Sequence, residues 1–364
     1  MRILQVIQKP QRRGAEIFAI QLSEGLQTMG HEVMLVSIFK NENELVFSGR
    51  INHLNRPLEK RFYDWFGWRA FALLIKEFQP DLIQLNAADT LKFGVFSKLL
   101  FGWRIPLVYR NANMMGNFIK GVLHRKFNQF LLNKVDGIAS VSESSKNDLI
   151  ETFDHSYKVH EAITIAIVNS DIEQKIDRNT EISLPENFVI QIGGLVPEKD
   201  PIGMLGIFQT LERPDLNLVF LGSGKLESQL ERLINERELA DRVKIIPNQS
   251  NIFPILRRAR ALILPSKIEG LPGVILEAMY CKVPVVAYDV GGISEVLSGN
   301  TGWLVPTRDV DSFLLAIEEV LNSNQKDLDR KLECAKNLVE KEYNLPQVTS
   351  KFEDFYRKVI DTNA

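Results

Sequence analysis

The sequence predicts an α/β protein of two Rossmann-like, doubly wound domains facing a central cleft, and three observations carry that expectation. Its 364 residues exceed what one hydrophobic core usually serves, so two domains of about 150 to 200 residues each follow from size. Short runs rich in Val, Ile and Leu alternate with longer amphipathic stretches from end to end, the pattern of βαβ units on parallel sheets. The runs fall into two series separated by a polar stretch. Ligands in such sheets bind beyond the carboxyl ends of the strands, so two of them facing each other define a cleft.

The first series is read at residues 3–7, 32–38, 82–85, 107–110, 137–141 and 163–167, and the second at 188–192, 216–221, 243–246, 261–264, 283–287 and 302–304. Most are continuous apolar runs, as strands buried on both faces are. Between the series, residues 169–187 (NSDIEQKIDRNTEISLPEN) hold few side chains able to build a core and are the expected interdomain linker. The domains are accordingly drawn at 1–180 and 181–345. Two helical segments close the chain at 326–343 and 346–360, broken apart at Pro346. The last helix, within 346–364, is expected to pack back on the first domain.

Composition bounds the function without naming it. With 45% hydrophobic and 25% charged residues the chain has the make-up of an ordinary globular protein. Its amino-terminal apolar run is too short for a signal peptide, and no stretch approaches the roughly 18 apolar residues of a membrane span, so a cytoplasmic protein is expected. Cys281 and Cys334 build no disulfide framework or metal cluster and are read as buried small hydrophobes. The net charge of −2 hides an asymmetry, since residues 1–134 carry 19 Lys and Arg against 10 Asp and Glu. Either charge partitions unevenly between the domains, or the first half meets an anionic partner or surface. Segments 56–78 and 117–134 set basic residues among Phe, Trp and Leu at helical spacing. They read as core-facing crossover helices or as helices lying at an anionic membrane, at the inner face of the cell membrane. No nucleic-acid partner is expected.

The most informative stretch is 264–292, LPSKIEGLPGVILEAMYCKVPVVAYDVGG. A strand ends at Leu264, a loop follows, and Pro272 stands where a first helical residue tolerates proline. Free N–H groups at that helix start suit a phosphate or sugar hydroxyl, which makes Gly270, Leu271, Pro272 and Gly273, at and just before it, candidates for the donor site. Glu269 precedes the helix and Glu277 lies within it among Val274, Ile275, Leu276, Ala278 and Met279. A carboxylate in so apolar a helix faces a cavity or a donor.

These residues resemble the retaining nucleotide-sugar glycosyltransferases of family 4, which have the GT-B fold. The hallmark is a Glu-x7-Glu pair, met by Glu269 and Glu277, within a block PS..EGLP.V.LEAM....PVVA.D.GG that this chain follows closely. The resemblance implies that Glu269 recognises the donor sugar near the reacting carbon and that Glu277 accepts hydrogen bonds from the nucleotide ribose. It extends over nearly the whole chain. Arg13-Gly14-Ala15-Glu16 resembles a GGAE turn at which backbone approaches the sugar-phosphate, and Gly30-His31-Glu32-Val33 resembles a GHEV in which His31 is structural. Gly193-Gly194-Leu195 with Lys199 resembles a GRL...K segment whose Arg and Lys neutralise the donor diphosphate. Leu221-Gly222-Ser223-Gly224 resembles a turn near the nucleotide, and Gly291-Gly292 with Glu295 a loop near the donor.

Two departures stand out. The family Arg is replaced by Gly194, and the His often found after the fourth strand is missing from Val108-Tyr109-Arg110-Asn111. Arg110 or Asn111 is then the candidate for a sugar or phosphate contact. The resemblance implies a retaining transfer from a nucleotide sugar to a glycan or lipid-linked acceptor in cell-surface polysaccharide or glycolipid synthesis. No cofactor is implied, and no metal is expected, an Asp-x-Asp dyad of the metal-dependent transferases not being recognised. Two other readings compete: a non-catalytic sugar-nucleotide-binding subunit, because Arg and His are missing, and a nucleotide-sugar epimerase of the same fold.

Overall fold

The structure, a computed structural model, describes residues 1–11, 13–40, 46–154, 159–178 and 181–363. The chain divides into two units, Met1–Ala166 with Leu345–Ala364, and Ile167–Asn344.

In the first unit the order is β1 (Arg2–Ile7), α1 (Gly14–Thr28), β2 (Glu32–Phe39), β3 (Arg50–Arg56), α2 (Trp65–Phe78), β4 (Leu82–Leu85), α3 (Ala88–Phe101), β5 (Leu107–Asn111), α4 (Val122–Leu132), β6 (Gly137–Ser140), α5 (Glu143–Thr152) and β7 (Val159–Ala162). The second unit holds α6 (Asn169–Ile176), β8 (Phe188–Ile192), α7 (Pro201–Thr210), β9 (Asn217–Leu221), α8 (Glu227–Glu236), β10 (Val243–Ile246), α9 (Phe253–Leu256), β11 (Ala261–Leu264), α10 (Gly273–Tyr280), β12 (Val285–Tyr288), β13 (Trp303–Val305), α11 (Val310–Asn322) and α12 (Gln325–Glu342). Helix α13 (Leu345–Asn363) belongs to the first unit and packs on α1 and β7.

Both sheets are wholly parallel, in the orders β3-β2-β1-β4-β5-β6-β7 and β10-β9-β8-β11-β12-β13. Each order reverses direction beside its first strand, at β1/β4 and at β8/β11. That reversal is the topological switch point at which open α/β sheets take their ligands. One face of the first sheet buries Ile3, Leu82 and Val108 under Phe18 of α1 and Phe352, Phe355 and Val359 of α13. In the second unit Val189, Leu218, Phe220 and Ile263 pack with Phe208 of α7 and Phe313 of α11. Each core of this kind burying several large side chains at about 1.5–3 kcal/mol apiece, the two units carry the marks of separate domains.

Four expectations from sequence need correction. Residues 163–167 are not a strand: the edge strand is β7, which ends at Ala162, Ile163 N still donates to Ser140 O of β6 at 2.7 Å, and Ala166 and Ile167 are buried beyond it. Strand β3 was invisible to an apolar-run criterion because RINHLNR pairs on one side only and alternates exposed with half-buried residues, as edge strands do. The polar stretch 169–187 is not simply a linker, since it opens with α6, which buries Ile172 and packs on α9. The unit boundary accordingly falls after Ala166 rather than at 180. Finally, the cysteines are not both buried: Cys334 is exposed on α12, and Cys281 is half-buried with its thiol pushed up to about 12 by burial and the nearby Glu277.

Candidate functional site

The loops after β8, β9, β11 and β12 meet at the carboxyl end of the second sheet, and glycine is what lets them do so. Gly222 has φ +154°, and a Cβ there would stand 1.9 Å from the Gly193 carbonyl oxygen. Gly291 has φ +60°, and a Cβ would meet the Glu269 carbonyl oxygen at 1.9 Å. Backbone bonds tie the loops together on either side of the switch point: Gly193 N donates to Leu221 O at 3.0 Å and Leu195 N to Ser223 O at 3.1 Å between the loops after β8 and β9, and Gly292 N to Gly270 O at 2.6 Å between those after β12 and β11. Lys267 N donates to Glu198 O at 2.8 Å, joining the loop after β11 to that after β8.

On this frame the structure brings Lys199 and Glu269 together. Lys199 Nζ donates to Glu269 Oε1 at 2.5 Å and to Oε2 at 2.7 Å. The Glu269 side chain is only 7% exposed and that of Lys199 23%. Two residues not singled out from sequence hold the lysine loop in place. Gln191, the one polar residue of the buried strand FVIQI, donates from Nε2 to Lys199 O at 2.7 Å. Asp200 accepts from Gly203 N at 3.2 Å, capping α7, and pairs with Lys267 Nζ at 2.9 Å. The signal for Gln191 was present, a buried polar residue in an apolar run needing a partner.

Gly194 does not share the steric demand of its neighbours. A Cβ there would meet only the Val196 methyls at 3.7 Å and Ser223 O at 3.9 Å, ordinary contact distances. A side chain can therefore be carried where the family Arg stands. Helix α10 begins at Gly273, with Pro272 as its cap residue at φ −77° and ψ 121° rather than as its first helical residue. The amides of Gly273 and Val274 have no acceptor among the described residues, while Ile275 N donates to Pro272 O at 3.1 Å. Leu271 and Pro272 are buried beside them.

Glu277 is half-buried one turn further on, and no hydrogen bond to its carboxylate occurs among the described residues. Burial, reinforced by the charge of Asp171 on α6, pushes its pKa up to about 7. The same helix supplies Glu173, whose carboxylate accepts from Tyr280 Oη at 2.6 Å. Thus a segment expected to be linker adds to the effect of burial on the second glutamate.

Other candidates are placed differently. Gly14 opens α1, where a Cβ would meet no protein atom within 4 Å, so protein packing does not impose glycine there. Asn111 is spent inside the first unit, donating to Ser145 O at 3.2 Å and Ser140 Oγ at 3.4 Å. Arg110 is 2% exposed, its guanidinium lying 4.2 Å over the Phe18 ring, with Nε and Nη1 buried and unpartnered. Burial pulls its pKa down to about 10, against the opposing pull of Tyr356, Tyr109 and Glu16. His31 stands against the Met1 amino group at 3.1 Å and Glu353 of α13 at 3.2 Å.

Contrary to expectation, the chain contains Asp-x-Asp strings, at Asp309 with Asp311 and at Asp327 with Asp329. Asp309 caps α11 by accepting from Ser312 N at 3.0 Å, and Asp329 accepts from Gln325 Nε2 at 2.8 Å on α12. Among the described residues no group of three or more His, Cys, Asp or Glu is placed to hold a metal ion. Nor, among them, is any helix long and apolar enough to cross a membrane. In segments 56–78 and 117–134 the apolar residues split: Trp68, Phe71 and Phe78 are buried, while Phe62, Trp65, Phe66, Val122 and Leu123 are 43–84% exposed.

Comparison with known proteins bears on the family and the fold. The family described as "Glycosyl transferases group 1" matches residues 172–338, and that described as "Glycosyltransferase Family 4" matches residues 12–160. An uncharacterized glycosyltransferase of Haemophilus influenzae is 23% identical over 320 residues, 85% of this chain and 87% of that one. The N-acetylgalactosamine-N,N'-diacetylbacillosaminyl-diphospho-undecaprenol 4-alpha-N-acetylgalactosaminyltransferase of Campylobacter jejuni is 27% identical over 64% of this chain and 68% of its own. Among solved structures, Anabaena HepE in complex with UDP-glucose superposes with a TM-score of 0.81 at 17% identity, covering 97% of this chain and 98% of that one. The two parallel, doubly wound sheets, the glycine-built loops over one switch point and the two family matches lead to one conclusion: the chain belongs to the group 1 glycosyltransferases of the GT-B fold.

Proposed function

We propose that the protein is a retaining glycosyltransferase that moves a sugar from a nucleoside-diphosphate sugar to a hydroxyl of a glycan or lipid-linked acceptor. The observation that carries this reading is the Lys199–Glu269 pair beside the switch point of the second sheet. In the free protein each charge compensates the other. A donor diphosphate competes for Lys199, and Glu269, relieved of one bond, turns its acceptor capacity to the sugar hydroxyls. The open amides of Gly273 and Val274 add donors for phosphate oxygens. The relatives support the substrate class: HepE is described in complex with UDP-glucose, and the Campylobacter enzyme is named for a diphospho-undecaprenol substrate.

The chemistry asked of these residues is positioning and electrostatics. The bond from the anomeric carbon to the phosphate oxygen breaks, a bond to the acceptor oxygen forms on the same face, and the hydroxyl proton passes to the leaving phosphate. Lys199 stabilises the charge gathering there, the type of contribution that is commonly the largest single one in such transfers. No metal is written into this step, and turnover is expected to survive a chelator.

A screen of UDP-, GDP- and ADP-sugars by thermal shift identifies the donor, since binding to the folded state raises its stability. Release of nucleoside diphosphate then separates an enzyme from a binding subunit, and interconversion of donors without acceptor would identify an epimerase instead. The anomeric configuration of the product, read by NMR, tests retention. For the acceptor, the exposed aromatics and the cations of α2 and α4 support a cytoplasmic protein resting on the anionic inner face of the membrane. Vesicle sedimentation tests this: binding should need anionic lipid and drop when Lys120, Arg125 and Lys126 are changed to Glu. Equal binding to neutral vesicles would leave a soluble acceptor.

A further inference from the structure

A cavity of the first unit takes no part in the site described above. It has a volume of about 630 Å³ and lies between the outer face of α2 and the segment joining α3 to β5. Gln79 and Pro80 of its wall precede β4, and Trp103 and Arg104 precede β5. The cavity therefore opens at the amino ends of the strands, the pole opposite the one where ligands react in such sheets.

Two chemistries meet in its lining. Leu73, Phe101 and Trp103 give it an apolar wall. Trp103 Nε1 donates to Ser97 Oγ at 3.1 Å, and its ring lies edge-on to Phe71 with Lys98 Nζ 5.9 Å from its centroid, so the ring is held in place as a wall of the cavity. Arg69, Lys76 and Arg104 also line the cavity, all three exposed, and no Asp or Glu does. Among the described residues none of these three cations has an ion-pair or hydrogen-bond partner. The neighbouring acid that could answer them, Glu77, pairs with Arg50 at 3.1 Å. Lys76 also sits in the last turn of α2, where a cation complements the helix dipole, but that accounts for one charge of the three. Along α2, Phe66, Arg69, Leu73 and Lys76 follow each other at three- and four-residue spacing. One stripe thus runs from the exposed aromatics into the cavity.

We propose that this cavity binds an anionic phospholipid, its phosphate among Arg69, Lys76 and Arg104 and the start of its acyl chain against Leu73, Phe101 and Trp103. Arginine forks suit phosphate oxygens, and the volume lies within the usual range for a small-molecule pocket. A free phosphate would find only well-hydrated side chains, whereas an amphiphile gains on both halves of the lining. The proposal deepens the membrane reading and rests on it in one respect, that lipid has to reach this face.

The test titrates the full chain with dioctanoyl phosphatidylglycerol below its micelle-forming concentration, followed by calorimetry. Saturable binding is expected, weakened at least tenfold in the combined variant Arg69→Glu, Lys76→Glu, Arg104→Glu and severalfold in Leu73→Asp. All four side chains are exposed, so the fold should hold, with circular dichroism as the check. Unchanged binding in the combined variant, equal binding of dioctanoyl phosphatidylcholine, or full competition by inorganic phosphate would each overturn the site. The variant with Lys120, just before α4, and Arg125 and Lys126 within it changed to Glu separates the two ideas. If it loses vesicles but still binds the monomeric lipid, the cavity stands without the α4 contact. If wild-type protein sediments with vesicles yet ignores the monomeric lipid, the membrane face survives and the cavity proposal does not.

Discussion

The two sheets reverse their strand order in the same way, yet their switch regions are filled by opposite means. Beside β1 and β4 the first unit sets a closed polar layer. Asn86 Nδ2 donates to Gln5 Oε1 at 2.9 Å, Tyr356 Oη donates to Gln84 Oε1 at 2.7 Å, and Gln5 Nε2 donates to Tyr356 Oη at 3.1 Å. Arg110 is sealed nearby over Phe18. Beside β8 and β11 the second unit leaves side chains out, and its backbone turns on Gly193, Gly222 and Gly291, all at positive φ. The charged pair Lys199–Glu269 is the main side-chain chemistry there. A shared topology therefore supplies a crevice in each unit, but the charges differ in what holds them: in the first unit Asp89 at the start of α3 is met by Gln8, Lys92 and Arg61, whereas in the second the loops stripped of Cβ atoms frame the pair Lys199–Glu269.

The sharpest way to break this comparison is to remove the charge. Lys199→Ala should lower turnover about 10²- to 10³-fold, the usual cost of losing one donor to the leaving group. It also leaves the buried Glu269 carboxylate without its counter-charge, so the variant should melt lower. Adding Glu269→Ala to Lys199→Ala should recover much of that stability and none of the activity, a non-additivity that a double-mutant cycle reads directly. Turnover within threefold of wild type in Lys199→Ala would remove the pair from the mechanism.

Glycines of the two units give the next contrast. Gly222→Ala would force a Cβ toward the Gly193 carbonyl at a left-handed φ, so a loss of at least about 2 kcal/mol and of nucleotide binding is expected. Gly14→Ala adds a Cβ to open space at a helix start and should change the melting temperature little. Comparable destabilisation at both positions would contradict the steric account.

Gly194 sharpens the same point from the other side. Its Cβ direction is free, so Gly194→Arg should be tolerated and, by restoring a charged hydrogen bond worth roughly 1.5–3 kcal/mol, raise nucleoside-diphosphate affinity about tenfold or more. No gain, in a variant that folds and melts as wild type, would mean that the phosphate lies out of reach of this position.

The legibility of the two regions follows the same division. The block around Glu269 and Glu277 was readable because backbone turns demand glycine and apolar helices advertise a stray carboxylate, both of them local properties of the chain. Strand β3 was missed since an edge strand lacks the double burial that writes an apolar run. The fate of Arg110 was unreadable for another reason. Whether a cation at the end of β5 points to a ligand or under a helix depends on Phe18 and Tyr356, and Tyr356 lies 246 residues further along the chain. Helix α6 hid in a polar stretch because a single buried residue, Ile172, fixes it.

The smallest expected effect concerns Glu277 and carries its sign in the pKa. Burial and Asp171 raise that carboxyl to about 7, so near neutral pH the free protein is a mixture of protonated and ionised forms. A ribose that donates from its hydroxyls favours the ionised form, so binding should draw the pKa down and release part of a proton. Nucleotide affinity should then weaken severalfold as pH falls from 8 to 6, and calorimetry in buffers of different ionisation heat should record the proton released. The same shift predicts the stability trend. A carboxyl that holds its proton more tightly when folded favours the folded state below its unfolded pKa near 4.5 and loses that advantage as pH rises toward 7. Glu277→Gln should therefore raise the melting temperature more at pH 8 than at pH 4, and should flatten the pH dependence of nucleotide binding. A pH profile for binding that is identical in Glu277→Gln and the wild type would assign the titration to the nucleotide rather than to this glutamate.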